Sequence, residues 1–154
     1  MLVKSVSFGS FGAPASKSEH KKLDKLAKEF TSGSVEDQQL VTLAHDVFEI
    51  RPWYCSEGAS FKDEDLKKAN SFMDAMRKGF EKGNSILAYA LGKAVLYSPA
   101  GRADNCDFDD LPIGKIKTLR TELCEQSMVT NEETGIAVTK PEYVAINRKI
   151  DSII

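Results

Sequence analysis

The sequence is poor in the residues that build disulfide frameworks and zinc sites. Its 154 residues include three cysteines and two histidines. An odd number of widely spaced thiols, with no CxxC pair among them, favours free cysteines in the cytoplasm or another reducing compartment. A zinc site is disfavoured because His20 and His45 stand at no zinc-finger spacing from the thiols. We therefore predict no metal site.

Long apolar runs and an excess of either charge are missing as well. The longest apolar stretch, 86–97, is interrupted by Gly92 and Lys93 and is shorter than the ~20 residues of a membrane-spanning helix. Residues 1–18 lack the continuous apolar core of a signal peptide. The net charge of −2 gives no overall attraction to nucleic acid or to an acidic membrane. These features predict a soluble protein without a membrane span.

The phosphate-binding motifs of nucleotide-dependent enzymes are absent too. Two Gly-Lys pairs occur, at Gly92-Lys93 and Gly114-Lys115, but neither has a glycine five residues upstream. No GxGxxG sequence is present either. We therefore expect the protein to use no nucleotide or other cofactor.

An acidic loop at 104–110 offers oxygen atoms that calcium could bind. An EF-hand beginning at Asn105 would, however, place Asp110 where a glycine is required and Ile116 where a glutamate is required. We interpret the loop as a solvated connection whose Asp110 caps the helix that follows.

What the sequence does contain is the pattern of a helical domain. Apolar residues make up 42% of the chain and charged residues 29%, an ordinary composition for a single globular domain. Apolar residues recur at spacings of three and four, which indicates amphipathic helices. The segment 84–98 is apolar on nearly every face, as is usual for a helix surrounded by its neighbours. We predict a mainly α fold, a compact bundle of about six helices around the central helix 84–98.

The predicted helices cover 18–30, 34–51, 60–83, 84–98, a segment from 110 and a segment from 141. Ser34 is a good N-cap with Asp37 at the capping-box position, and 98–101 (Ser-Pro-Ala-Gly) is expected to close the central helix. Two short extended runs around a glycine-containing loop predict a small β-hairpin near 128–139. Residues 1–17 are expected to form a flexible or weakly extended arm before a single helical domain, 18–154.

One candidate for catalysis is a thiol activated by a histidine. Cys55 follows a helix that contains His45, and an imidazole that accepts the thiol proton would leave a nucleophilic thiolate. No cysteine-protease signature surrounds either residue. We favour the alternative in which His45 is an ordinary helix residue and Cys55 a small buried one.

A candidate surface for protein partners lies after the second helix. Arg51, Trp53 and Tyr54 belong to the three residue types that are most frequent at interface hot spots. Phe8 and Phe11 in the N-terminal arm could dock on a neighbouring copy. The equally weighted alternative is that Trp53 fills the core between the second and third helices.

Basic residues cluster on two predicted helices. Such clusters could neutralise nucleic-acid phosphates without reading the base sequence. Acidic residues are interleaved with the first cluster, and aspartates precede the second, so we favour two solvated helix faces. The candidate phosphate contacts are Lys21, Lys25, Lys28, Lys115, Lys117 and Arg120.

These observations favour a non-enzymatic helical protein that binds another protein or copies of itself, as an adaptor, an inhibitor or an assembly subunit. The main alternative is a small thiol-dependent hydrolase or transferase that uses Cys55 and His45. A third hypothesis is a sequence-neutral nucleic-acid binder that uses the basic helix faces.

Overall fold

The fold is mainly α-helical, as the spacing of apolar residues predicts. The structure, a computed structural model, describes residues 10–55, 58–103 and 114–154. The described residues form seven helices, namely α1 (Lys17–Phe30), α2 (Val35–Phe48), α3 (Asp63–Lys82), α4 (Ser85–Leu96), α5 (Pro99–Ala103), α6 (Gly114–Ser127) and α7 (Pro141–Ile153). Five short strands accompany them, namely β1 (Ser10–Phe11), β2 (Trp53–Cys55), β3 (Gly58–Ser60), β4 (Met128–Thr130) and β5 (Ala137–Thr139). Phe8, the acidic loop 104–110 and the proposed cap Asp110 lie outside the described residues.

Helix α4 is the centre of the bundle, which confirms the prediction made for 84–98. It contacts each of the six other described helices. Most of its residues are buried, and only Ile86 is strongly exposed. Gly92 allows this close packing, because a Cβ there would lie 2.9 Å from Met76 Sδ and 3.1 Å from Leu123 Cδ2. None of the helices in the described ranges is long and apolar enough to cross a membrane.

The central helix ends at Leu96, immediately before the predicted stop at 98–101. The stop itself differs from the prediction, because Pro99–Ala103 forms the additional short helix α5. Ser98 is its cap, because its carbonyl oxygen accepts from the Arg102 N–H at 2.8 Å and its hydroxyl accepts from the Gly101 N–H at 3.2 Å. Pro99 fits the first helical position, where no backbone donor is needed. Residues 98–101, whose composition suggests the end of a helix, therefore form a tight turn that leads from α4 into α5.

The start of α3 also differs from the prediction, in which Ser60 caps this helix. The helix begins after Lys62, which provides no side-chain cap, and not after Ser60. Ser60 is instead the last residue of β3, where it lies opposite Trp53 of β2. Because Ser60 pairs in this strand, it does not lie at the position from which a side chain could cap α3.

The carboxylate of Asp37 joins the ends of three helices. One oxygen accepts from the Ser32 backbone N–H at 2.7 Å, from the Ser32 hydroxyl at 2.8 Å and from the Asn84 amide at 3.2 Å. The Asn84 amide also donates to the Phe30 carbonyl at 2.7 Å, while its Oδ1 caps α4 by accepting from the Leu87 N–H at 3.1 Å. The turn after α1, the first turn of α2 and the start of α4 thus share one polar junction.

The Asp37 carboxylate is ionised in this junction although only 5% of the residue is exposed. Burial by itself raises the pKa of Asp37. Hydrogen bonds from the backbone and side chain of Ser32, and from the side chains of Asn84 and Ser34, outweigh burial and lower this pKa below its ordinary value of 3.8.

Two small antiparallel sheets complete the described structure. In the first, with strand order β1-β2-β3, residues 10–11 pair with β2. The following residues are also fastened to the body, since Gly12 N–H donates to the Pro52 carbonyl at 2.7 Å and Ala15 N–H to the Phe48 carbonyl at 2.9 Å. The second sheet is the predicted hairpin, β4 with β5, in which Val129 lies opposite Val138.

We expect Gly101→Ala to lower the free energy of unfolding by about 1–3 kcal/mol, the usual range for overpacking. A Cβ at Gly101 would lie 2.5 Å from the carbonyl oxygens of Val95 and Leu96, which are backbone atoms that cannot turn aside. Urea denaturation measures the change. Gly114→Ala is the control, because a Cβ at Gly114 would meet no described atom within 4 Å. Equal stabilities of the two variants would contradict the packing argument.

We expect Asp37→Asn to lower the free energy of unfolding at neutral pH by roughly 2–4 kcal/mol, because a charged acceptor of several hydrogen bonds is lost. The lowered native pKa means that this stabilisation is complete above the unfolded-state pKa and lost as pH falls through the native pKa. The difference between the two proteins in urea denaturation should therefore shrink from about pH 7 to about pH 3. Asp46→Asn, at an exposed acid of α2, is the control. A difference that stays constant with pH would contradict the account.

Candidate functional site

Both ring nitrogens of His45, the candidate partner of Cys55, have other partners in the structure. Nε2 lies 2.6 Å from Asp24 Oδ1 of α1, and Nδ1 lies 2.7 Å from His20 Nδ1. The backbone of Cys55 pairs with Gly58 at the end of β2, and its side chain lies outside what the structure describes. His45 is therefore part of a histidine–carboxylate cluster, and no contact of it with a thiol is seen in the described residues.

The cluster consists of two imidazoles that meet edge to edge, with a carboxylate at each end. The rings of His20 and His45 are nearly parallel, with an interplanar angle of 7° and centroids 5.0 Å apart. Glu49 Oε1 lies 2.7 Å from His20 Nε2, at an angle that gives a close ion contact without an aligned hydrogen bond. The edge of Phe48 packs on the His20 ring at a centroid distance of 5.5 Å. We name His20, His45, Asp24 and Glu49 the histidine cluster.

The sequence contains a signal for this cluster in the spacing between each histidine and an acidic residue. On α1, His20 precedes Asp24 by four residues, and at the end of α2, His45 precedes Glu49 by four residues. Residues four apart lie on the same face of a helix, so each helix presents a histidine and an acid side by side. In the structure the pairs are crossed, because His45 contacts Asp24 and His20 contacts Glu49.

The histidine cluster does not have the arrangement of a metal site. The two Nδ1 atoms face each other, and the two Nε2 atoms face different carboxylates. Among the described residues, no group of three or more histidine, cysteine, aspartate or glutamate side chains converges as metal ligands would.

The candidate partner residues after α2 lie in the three-stranded sheet. Trp53 and Tyr54 are half-buried in the middle strand, and Tyr54 packs against the core. The pairing of β1 with β2 places the backbone of Phe11 opposite Trp53. Arg51 is exposed just before this strand. The structure thus brings Phe11, Trp53 and Tyr54 together, with Trp53 in a position intermediate between core and surface.

The basic candidates do not form one surface. Lys21, Lys25 and Lys28 are exposed on α1, where Asp24 and Glu29 stand among them. Glu29 also forms an ion pair at 3.1 Å with Lys149 of α7.

On α6 the side chains diverge. Lys115 and Lys117 are exposed, whereas Arg120 is half-buried and donates to the Gly101 carbonyl at 2.9 Å. Arg120 therefore ties α6 to α5 and is directed inward.

Two clefts open on the described surface. One, of about 390 Å³, lies beside Phe48 and Tyr97. The other, of about 530 Å³, lies between the inner side of the hairpin and helices α4, α6 and α7, and its lining includes Lys93, Cys124 and Met128. The thiol of Cys124 is free and exposed there.

The β-hairpin presents an apolar face to solvent. Val129 is 47% exposed, Ile136 61% and Val138 46%. Since side chains alternate between the two faces of a strand, the cross-strand pair Val129–Val138 and Ile136 two residues away share one face. Met128 and Thr139 are on the other face, are half-buried and line the larger cleft. We name Val129, Ile136 and Val138 the outer hairpin face.

The turn of the hairpin is well specified by its sequence. Asn131 Oδ1 accepts from the backbone N–H groups of Glu133 and Thr134, at 2.9 and 3.3 Å. Gly135 has a φ of +69°, a conformation that glycine adopts without a steric penalty. The exposed valines are therefore held in a defined register.

No protein-family model, curated protein or solved structure matches the chain. The functional proposals below therefore depend on the contacts, charges and exposure of its own residues.

We expect Trp53→Ala to lower the free energy of unfolding by about 2 kcal/mol, below the ~3–5 kcal/mol of a fully buried aromatic residue, because Trp53 is half-buried. Urea denaturation measures the loss. Arg51→Ala, an exposed residue of the same segment, is the control and should change little. A loss near zero would mean that Trp53 contributes to a partner surface and little to the core.

Proposed function

We propose that this protein is a non-enzymatic binding protein that associates with a second copy of itself through the β-hairpin 128–139. The observation that supports the proposal is the outer hairpin face, three exposed β-branched side chains in a fixed cross-strand register. β-Branched residues are suited to a sheet surface that packs against another surface.

The hairpin also has free backbone edges. Among the described strands, no third strand pairs with β4 or β5. The Asn131 N–H donates to the Ile136 carbonyl and the Lys140 N–H to the Ser127 carbonyl. These two bonds determine which backbone groups of β5 point toward β4. Backbone groups of Ala137 and Thr139 then point away from β4, since successive residues of a strand present them to opposite sides. An added strand could bind these groups by β-augmentation.

Isolated two-stranded hairpins are marginally stable in water. Met128 and Thr139 at the base of this hairpin are half-buried, whereas residues 129–138, which include its tip and outer face, are exposed. Burial against a partner would remove the apolar side chains from water and pair the open edges. A symmetric dimer achieves both with one kind of chain, because the same surface serves each copy.

The two alternative functions have less support. A thiol-dependent hydrolase or transferase needs an imidazole available to Cys55, whereas the His45 nitrogens face Asp24 and His20. A nucleic-acid binder needs converging cations, whereas Arg120 is directed to the Gly101 carbonyl.

Light scattering coupled to size-exclusion chromatography at about 100 µM tests the proposal. The wild-type protein should elute with a mass that is a multiple of the 17.0 kDa monomer. The triple variant Val129→Thr, Ile136→Thr, Val138→Thr should be monomeric with a similar melting temperature. Threonine keeps β-branching and strand propensity but makes the face polar.

Val35→Thr is the matched control, because Val35 is a 68% exposed apolar residue at the start of α2, away from the hairpin. It should assemble like the wild type. Ala137→Pro removes one outward backbone donor, so loss of assembly in this variant would specify strand addition over packing of the faces. A monomeric wild-type protein, or a triple variant that still assembles, would contradict the proposal.

A further inference from the structure

We propose that the His20–His45 pair is a proton-controlled contact between α1 and α2. The two rings share one proton near neutral pH, and the contact breaks when a second proton binds. The inference is independent of the hairpin. It depends on the positions of the four ring nitrogens and the two carboxylates of the histidine cluster.

The contact between the two rings admits one proton. The Nδ1 atoms are 2.7 Å apart, so one must donate and the other must accept. Each Nε2 faces a carboxylate, at 2.6 Å for His45 with Asp24 and at 2.7 Å for His20 with Glu49. A carboxylate oxygen accepts only, so both Nε2 atoms are best protonated. Three protons on four nitrogens place one hydrogen between the rings and one on the side of each ring that faces a carboxylate, and they give the pair a single positive charge.

The surrounding charges favour a positive charge on the pair. Asp24 of α1 and Glu49 after α2 contribute two negative charges in direct contact with the rings. Farther out, the cleft beside Phe48 contains Glu19, Lys22, Arg102 and Asp151, two acids and two bases from α1, α5 and α7. Arg102 and Glu19 are 3.8 Å apart and partly compensate each other. One positive charge shared by the imidazoles thus has counter-charges at both ends.

A second proton destroys the contact. Both Nδ1 atoms would then carry a hydrogen directed at the other ring, and two positive charges would face each other across a contact of 2.7 Å. The rings must move apart. His20 packs on Phe48, and the Phe48 carbonyl accepts from the Ala15 N–H at 2.9 Å. Separation of the rings therefore loosens the attachment of residues 12–16, which lead into the first turn of α1.

The direction of the pH dependence follows from proton counting. In the unfolded chain the two histidines are apart, and each binds a proton as the pH falls from about 7 to about 5. The folded pair holds one proton and resists the second. Below about pH 6.5, the ordinary pKa of histidine, the two separate rings of the unfolded chain together hold more protons than the folded pair, so the stability of the fold decreases as the pH falls further. The Asp37 junction contributes its own loss at a lower pH, because the pKa of Asp37 is lowered.

Amide hydrogen exchange at about pH 7 and about pH 5 tests the proposal on the full chain. After correction for intrinsic exchange, the protection factors of the Gly12 and Ala15 amides should fall at least tenfold at the lower pH. His20→Asn should abolish this fall, because its neutral amide can donate to His45 Nδ1 without binding a proton. Lys28→Asn, an exposed change on the same helix, should retain the wild-type fall.

The ring nitrogens of the wild-type protein provide a second readout that needs no variant. An NMR titration of ¹⁵N-histidine should show two separate protonation steps, with the second accompanied by the loss of Gly12 and Ala15 protection. Two rings that titrate together, independently of each other, would overturn the proposal. So would unchanged protection at the lower pH, or a fall of equal size in His20→Asn.

Discussion

A buried carboxylate at the meeting point of three helices is the constraint on which the rest of the arrangement depends. An uncompensated charge in this position would be strongly destabilising, so the donors around Asp37 must all be in place together. They come from Ser32 in the turn after α1, from the side chain of Ser34 before α2 and from Asn84 before α4. The junction sets where α1 ends and where α2 begins relative to the central helix, and the packing of α1 on α2 in turn brings His20 to His45.

Around this junction the apolar core is complete without the hairpin. The central helix is enclosed by the six other described helices, and the fully buried side chains come from helices and from Ile50 directly after α2. The hairpin is attached at its base, and its turn is organised by its own residues, Asn131 and Gly135. The outer hairpin face is therefore not part of the apolar core of the domain, and for this reason we assign that face to a partner.

Much of the fold could be predicted from the sequence because local patterns decide it. The central helix is apolar on every side, Ser34 caps α2, and a glycine-containing loop separates the two strands of the hairpin. The short helix at 99–103 could not be predicted from proline and glycine content, because the Ser98 cap determines it. The histidine cluster was missed for a different reason: spacing along the chain suggests two local His–acid pairs, while the partners are exchanged between helices.

The crossed pairing has a consequence for how the two helices align. If α2 slid along α1 by one turn, about 5.4 Å, Glu49 would take the place of His45 and face Asp24, carboxylate against carboxylate. A slide in the opposite direction would put Val41 beside Asp24 and leave that acid without an imidazole. Only the observed alignment gives each histidine an acid and each acid a histidine. The four side chains therefore disfavour both neighbouring alignments of α1 and α2. The apolar faces of the two helices would distinguish these alignments less sharply by themselves.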